Sequence, residues 1–185
     1  MLELVNLNKY FNKGKKSEVH VINNTSLDLP EKGLVALLGP SGCGKSTLAK
    51  ILAGMYEVES GCIFFDDIKM NRDTKKNMIN QVMYVFQNSS LLSISIRENI
   101  LAGIECDEQE FVSIVELLGI KQFAEELPRG MDTVLEENGR NLSSGQIQRI
   151  TIARALVRHP QLLILDEATS NIDTESEAEI FKKLR

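Results

Sequence analysis

The chain has 185 residues, of which 43% are hydrophobic and 25% charged, a composition typical of an ordinary soluble globular chain. Its net charge of -5, with lysines and arginines interleaved among acidic residues, argues against a nucleic-acid partner. No apolar stretch approaches the roughly 18 to 20 residues needed to cross a bilayer, and the N-terminus lacks a signal-peptide pattern, so a cytoplasmic location is expected.

In the first half of the chain, short apolar runs bounded by turn residues predict strands. The continuous apolar run at residues 34–38 is typical of a strand buried on both faces. A helix is expected from Lys45 to about Ala53, and a polar helix or loop between the last two strands of this half. The predicted strands are residues 19–22, 27–29, 34–38, 63–65 and 82–86.

The second half begins with a helical pattern over residues 96–127, where Asp107 and Glu110 have capping-box spacing ahead of an apolar stripe. A helix is predicted at 146–158, a buried strand at 162–165, and a last helix capped by Thr174. Strands that alternate with helices favour an α/β fold with a mostly parallel sheet covered on both faces. No linker composition divides the chain, so one domain is expected.

The strongest motif is GPSGCGKST at residues 39–47, which fits the phosphate-loop pattern G-x-x-x-x-G-K-[ST] between a predicted strand and a predicted helix. Its glycines allow backbone N–H groups and a helix N-terminus to surround negative charge. Lys45 adds a charge for the β- and γ-phosphates of ATP, and Ser46 would hold Mg²⁺. A plain glycine-rich turn is the weaker interpretation. The candidate nucleotide-binding residues here are Gly39, Pro40, Ser41, Gly42, Cys43, Gly44, Lys45, Ser46 and Thr47.

A second motif, LLILDE at residues 162–167, ends an apolar strand in two acidic residues. Ligands of α/β sheets bind at the carboxyl ends of strands, so Asp166 is predicted to hold Mg²⁺ and Glu167 to activate water. Taken alone, the run is equally consistent with a strand that meets a solvated loop, and the phosphate loop upstream favours the functional interpretation.

A third segment, NLSSGQIQR at residues 141–149, precedes a helix and then the LLILDE strand. This arrangement resembles the signature region of ATP-binding cassette (ABC) ATPases, whose motif is LSGGQ. The resemblance implies that Ser143, Gly145 and Gln146 bind the γ-phosphate of a nucleotide held by a second cassette. A serine and a glycine N–H at a helix start agree with an anion site. Ser144 departs from the glycine that the family usually has.

The same resemblance extends to isolated residues. Gln87, after a predicted strand, resembles the glutamine that contacts Mg²⁺ or the attacking water, and it is therefore both a catalytic and a metal candidate. Phe11 matches the aromatic residue that stacks on adenine, with Tyr10 as the alternative. Residues 170–173, SNID, resemble the D-loop, through which two cassettes communicate. Taken singly, each of these has an ordinary structural explanation, namely a solvated glutamine, core aromatics and a helix cap.

The resemblance covers residues 2–185 and implies a fold with three parts in one domain, 1–185. These are a P-loop NTPase core with a mostly parallel sheet, an N-terminal antiparallel β subdomain, and an inserted helical subdomain at 88–141. The core, with its β subdomain, would comprise 1–87 and 142–185. The family's switch histidine is expected beyond residue 185, so poor ATP hydrolysis is predicted for a chain that ends there.

The resemblance also implies partners. LLSISIRENI after Gln87 and TVLEENG around Glu137 are similar to exporter cassettes, in which the latter touches the membrane domain. The chain is therefore identified as an exporter-like cassette, peripheral at the inner face of the cell membrane, that pairs with a second cassette and a transmembrane permease domain. Two alternatives stay open: a noncatalytic nucleotide-binding fragment, and a soluble ABC ATPase without a transport role.

Overall fold

The computed structural model describes residues 2–183, apart from the side chains of residues 72 and 183, in two compact units that comprise residues 2–83 and 84–183. The strands are β1 Leu2–Phe11, β2 Val19–Leu29, β3 Ser60–Phe65, β4 Ile68–Lys69, β5 Val82–Val85 and β6 Leu162–Leu165. The helices are α1 Lys45–Leu52, α2 Arg72–Ile79, α3 Ile96–Leu101, α4 Glu108–Leu117, α5 Ile120–Glu125, α6 Ser144–Leu156 and α7 Thr174–Lys183. Short 3₁₀ turns lie at Gly130–Asp132 and Glu137–Gly139.

The N-terminal unit is built on an antiparallel sheet with the strand order β2-β1-β3-β4. Leu2 and Leu4 of β1 are buried, but the next buried side chain is Leu7, which breaks the alternation of period two. The shift coincides with Asn6, whose φ of 49° and irregular pairing mark a β-bulge. The bulge interrupts the alternation of buried and exposed residues that identifies a strand, so the sequence pattern does not predict β1.

The strands predicted at residues 19–22 and 27–29 form one continuous strand, β2, which contains a second bulge. The polar residues 23–26 suggest a break between strands at 19–22 and 27–29, yet β2 runs through them. Asn24 adopts a φ of 43°, and its N–H donates to Asn8 Oδ1 at 3.0 Å. The side chain of Asn8 therefore replaces the missing ladder partner at the irregular position.

The predicted strand at residues 34–38 is wrong for this structure. The segment is irregular and exposed, and Leu38 keeps 90% of its surface accessible. An apolar run becomes a strand only where a neighbouring strand pairs with its N–H and C=O groups. Within the described part of the N-terminal unit, the four strands pair only with one another.

Helix α1 follows the glycine-rich segment and agrees with the predicted helix from Lys45 to about Ala53. It buries Leu48, Ala49, Ile51 and Leu52 on one side. Its N-cap residue, Gly44, has a φ of 97°, and a Cβ built there would lie 3.1 Å from the carbonyl oxygen of Val21 in β2. Gly44 therefore allows the start of the helix to approach β2 closely.

Strand β5 begins two residues before the C-terminal unit and pairs with β6 in a two-stranded parallel sheet, and the helices of this unit pack around α6. Its core is aliphatic and includes the fully buried residues Ile96, Ile100, Leu118, Ile120, Ile150 and Ile152. The predicted strand at 162–165 is confirmed residue for residue, although all four side chains are only half-buried. The predicted α/β class with an antiparallel N-terminal sheet is also confirmed.

Aspartate side chains cap two helices of this unit. Asp107 caps α4 as predicted, and its carboxylate accepts from the N–H groups of Gln109 and Glu110. The cap of α7 is Asp173 rather than Thr174, because Asp173 Oδ1 accepts from the N–H of Ser176 at 2.8 Å. The predicted division into a core and a helical subdomain at 88–141 stays a prediction. Among residues 2–183, no helix is both long and apolar enough to cross a bilayer.

Candidate nucleotide-binding site

The glycine-rich loop and its lysine lie in the N-terminal unit. Lys45 is the first residue of α1, and its ammonium donates to the carbonyl oxygens of Gly39 at 2.7 Å and Pro40 at 3.0 Å. The loop thus curls around the lysine of its own motif. The charge is held at the mouth of the loop, where a bound phosphate would meet it.

Backbone conformation explains why this loop needs glycine. Gly39 has a φ of 156°, and a Cβ there would lie 2.8 Å from the sulfur of Cys43 across the turn. Gly42 has a φ of 80°, and a Cβ built on it would meet nothing within 4 Å. The loop is therefore open to a ligand at Gly42, while at Gly39 a side chain would meet the Cys43 sulfur.

The exposure and charge of the loop suit a polyphosphate ligand. Residues 39–43 are exposed, and the first turn of α1 contains no acidic residue that would oppose an anion. Lys45, Ser46 and Thr47 are half-buried at the N-terminus of the helix, where the helix dipole favours negative charge.

The predicted acidic pair lies in the C-terminal unit, at the end of β6. The N–H of Asp166 donates to the carbonyl oxygen of Val85 at 3.1 Å, which extends the pairing of β5 and β6 by one residue. The Asp166 carboxylate also accepts a hydrogen bond from the Tyr84 hydroxyl. Tyr84 is absent from the sequence-based site, since a tyrosine inside a strand carries no motif, and only the pairing of β5 with β6 brings it to Asp166.

Gln87 and Glu167 meet at the same edge. Gln87 Nε2 donates to Glu167 Oε2 at 2.7 Å, although the two residues are 80 positions apart in the chain. Glu167 is exposed and has a φ of 54°, a left-handed conformation that is uncommon for a residue other than glycine. Such strain in a non-glycine residue is often found at functional sites.

The described residues suit a Mg²⁺ ion that is bound together with nucleotide phosphates, and not one that is held by protein side chains alone. Among residues 2–183, no group of three or more His, Cys, Asp or Glu side chains is arranged to hold a metal by itself. Mg²⁺ bound to phosphates usually keeps several waters and needs only one or two carboxylates from the protein. Asp166, Ser46 and Gln87 are of the right chemical type for this, and their role as ligands stays a prediction.

The signature segment forms the start of α6. Ser143 is its N-cap: the Ser143 hydroxyl accepts from the Gln146 N–H at 3.2 Å, and Gln146 Oε1 accepts from the Ser143 N–H at 2.8 Å. This reciprocal capping box keeps Ser143 at the exposed helix N-terminus. Ser144, the departure from the family motif, is the first helical residue and is exposed.

The aromatic candidates lie at the end of β1. Phe11 packs edge-on against Tyr56 with 5.6 Å between the ring centroids, and the Lys9 ammonium lies 5.6 Å from the Phe11 ring centre. Tyr10 instead stacks on His20 with 3.9 Å between centroids. The stacking of Phe11 on adenine, with Tyr10 as the alternative, stays a prediction.

Comparison with known proteins decides the family. A family model described as ABC transporter matches residues 22–170. The chain belongs to this family. It is 36% identical over 173 residues to the multidrug resistance-like ATP-binding protein MdlB of Buchnera aphidicola, a match that covers 94% of this chain and 30% of that protein.

Two further relatives of this ABC chain are exporters or flippases. It is 42% identical over 166 residues to the ATP-dependent lipid A-core flippase of Vibrio vulnificus, over 89% of this chain and 28% of the flippase. A solved structure of a bacterial Atm1-family ABC exporter with ATP bound matches 100% of this chain and 32% of its own, with a TM-score of 0.90 and 31% identity. The chain spans about a third of the length of these relatives.

Proposed function

We propose that this chain is the nucleotide-binding cassette of an ABC exporter, which binds and hydrolyses ATP to power transport of a substrate across a membrane. The observation that carries the proposal is the loop at residues 39–44, which holds the Lys45 ammonium against two of its own carbonyl oxygens at the N-terminus of α1. The family match and the similarity to an ATP-bound exporter support it.

In the proposed mechanism, a few residues bind the phosphates, stabilise their charge and activate the attacking water. Lys45 and the N–H groups of the loop bind the phosphates and stabilise the charge that develops on the transferred phosphoryl group. Glu167 polarises the attacking water, and Gln87 orients the Glu167 carboxylate through their 2.7 Å hydrogen bond. Ser46, Asp166 and Gln87 would supply ligands for Mg²⁺, which would neutralise phosphate charge when bound.

A second cassette completes the proposed site. Ser143, Gly145 and Gln146 form a helix N-terminus, exposed at Ser143 and half-buried at the other two residues, that suits a phosphate group, and one chain carries both a phosphate loop and this segment. Pairing head to tail would place each phosphate loop against the signature of the other cassette. ATP then acts as the bridge between the two, and hydrolysis weakens it.

A membrane partner is supported by an exposed apolar face of the C-terminal unit. Leu92 keeps 62% of its surface accessible and Val134 keeps 56%. The chain segments that contain Leu92 and Val134 are paired through an antiparallel β-bridge between Ser95 and Val134. A 3.0 Å hydrogen bond from the Leu135 N–H to the Ile94 carbonyl oxygen adds to this pairing. We assign this face to the cytoplasmic loops of a permease domain, which puts the cassette at the inner face of the membrane.

The decisive experiment compares two lysines of the same helix. In the full natural chain, Lys45→Met should weaken ATP binding by at least about 10-fold and abolish turnover, because it removes the ammonium from the loop. Lys50→Met, one helical turn and a half further along α1, should leave both unchanged. ATP affinity is measured with a fluorescent nucleotide, and turnover by phosphate release.

Equal ATP affinity in the two variants would contradict the proposal. If the unmodified protein binds ATP but releases no phosphate, the chain is a noncatalytic nucleotide-binding protein, which is the rival function.

A further inference from the structure

Helix α6 carries a buried polar side chain that the proposed chemistry does not use. Gln148 keeps only 3% of its surface accessible. Its Oε1 accepts from the backbone N–H of Asn171 at 3.0 Å, and its Nε2 donates to Ser170 Oγ at 3.4 Å. Both hydrogen bonds thus end on the segment that resembles the D-loop, residues 170–173. A buried amide cannot readily exchange such partners for water.

Two neighbours on the same side of α6 contact the same segment. Gly145 lies three residues before Gln148, and a Cβ built on it would be 2.6 Å from the carbonyl oxygen of Asn171. Arg149 Nη2 lies 3.1 Å from Asp173 Oδ2. Backbone packing, a buried amide and an ion pair therefore bind residues 170–173 to the helix that begins at Ser143.

We propose that Gln148 is a positioning residue, which holds the backbone of residues 170–172 against α6 so that this segment and Ser143 meet a second cassette as one rigid surface. The inference rests on the proposed function. Gln148 touches no substrate; it acts by keeping the Asn171 N–H paired and the turn at 170–172 in place. Loss of its amide would let this turn move independently of the signature.

The test uses three variants of the full natural chain. Gln148→Met keeps the length and shape of the side chain but removes both hydrogen bonds. Gln148→Glu keeps an acceptor for the Asn171 N–H, and the Ser170 hydroxyl can donate to its other oxygen. Gln122→Met, at an exposed position of α5, is the matched control.

Three quantities are measured. Hydrogen exchange at the Asn171 amide should be about 10-fold faster in Gln148→Met than in the unmodified protein. The dissociation constant of the ATP-bound dimer should rise about 10-fold, whereas ATP affinity of the separate subunit stays unchanged. Gln148→Glu should recover most of both effects, and Gln122→Met should show neither.

Unchanged exchange and unchanged dimer affinity in a folded Gln148→Met variant would overturn the proposal. If that variant does not fold, Ser170→Ala removes the longer hydrogen bond alone and should move both quantities in the same direction by a smaller factor; no movement would likewise overturn it. If the unmodified protein does not associate with ATP, the proposed function fails, whereas the exchange rate of Asn171 still decides the positioning role.

Discussion

The hydrogen bond from Gln87 to Glu167 joins a residue that follows β5 to one that follows β6. A carboxylate that is exposed, conformationally strained and oriented by an amide is well suited to polarise water. The hydrogen bond brings together two residues that the sequence suggested separately, Gln87 from the family resemblance and Glu167 from the strand that ends in two acidic residues. Each is placed by the end of a strand, and the two strands are neighbours.

Glu167→Gln should preserve ATP binding and remove turnover. The amide cannot accept a proton from water at neutral pH, but it has nearly the same shape, so the ATP-bound dimer should accumulate. We expect phosphate release to fall by at least about 100-fold, in line with the contribution of a positioned general base. Single-turnover phosphate release and light scattering measure the two effects. Turnover at the unmodified rate would remove Glu167 from the mechanism.

Asn99 shows how a single side chain organises an element. It keeps 1% of its surface accessible, and its Nδ2 donates to the carbonyl oxygens of Leu92 and Ser95 at 2.9 and 3.1 Å. Its Oδ1 accepts from the Leu92 N–H and from Arg154 Nη2 at 2.9 Å. Burial lowers the pKa of Arg154, so this guanidinium is a partly desolvated group whose partners matter. Through its contact with Arg154, Asn99 therefore links helix α6 to the segment that contains the exposed Leu92.

Asn99→Ala should therefore lower the free energy of unfolding by about 3 kcal/mol, since it leaves several buried groups without partners. The same substitution at Asn88, an exposed residue of the neighbouring segment, should cost less than about 0.5 kcal/mol. Urea unfolding followed by circular dichroism measures both. A cost for Asn99→Ala no larger than that of the control would refute the role assigned to Asn99.

The start of α7 should respond to acid. Hydrogen bonds from Ser176 and, to a smaller degree, the charge of Arg149 hold the pKa of Asp173 below its ordinary value of 3.8. A depressed pKa means that the carboxylate stabilises the folded state above the unfolded-state value, and that this contribution disappears as pH falls through the folded-state value. The protection factors of the Ser176 and Glu177 amides, which are exchange rates corrected for the intrinsic pH dependence of exchange, should therefore fall below about pH 4.

Asp173→Asn provides the comparison, because asparagine caps helices as well as aspartate does but carries no charge. In this variant the acid-induced loss of protection should vanish. If the loss persists, the cap responds to some other titrating group.

At the scale of the whole molecule, the proposed pairing of two cassettes can be tested with a charge introduced at Ser143. Ser143→Asp and Ser143→Asn both keep an N-cap of similar size. Only aspartate places a negative charge where the phosphate of the other subunit would bind. We expect Ser143→Asp to weaken ATP-driven self-association by at least about 10-fold more than Ser143→Asn, with ATP affinity of the separate subunit preserved in both.

Analytical ultracentrifugation with and without ATP distinguishes the two variants of Ser143. Equal association of the Asp and Asn variants would argue against a phosphate at this helix N-terminus.

The order of residues alone determined the motifs and most of the local structure. A phosphate loop, a strand ending in two acids and a capped signature helix depend on residue types within a few positions of one another, so α1, α4, α6 and β6 could be predicted. The same locality explains why Lys45, Asp166 and Glu167 were recognised as candidates, although their functional roles stay predictions.

Only the tertiary structure decided which distant groups meet. Bulges at Asn6 and Asn24 break the alternation that identifies strands, and an apolar run at 34–38 lacks a strand partner among the described residues. The Tyr84 hydroxyl on Asp166, the Asn99 amide under Arg154 and the Gln148 amide beneath residues 170–171 arise from pairing and packing across long stretches of chain. Hydrogen-bond partners for buried polar groups are set by three-dimensional proximity, which no local pattern of residues encodes.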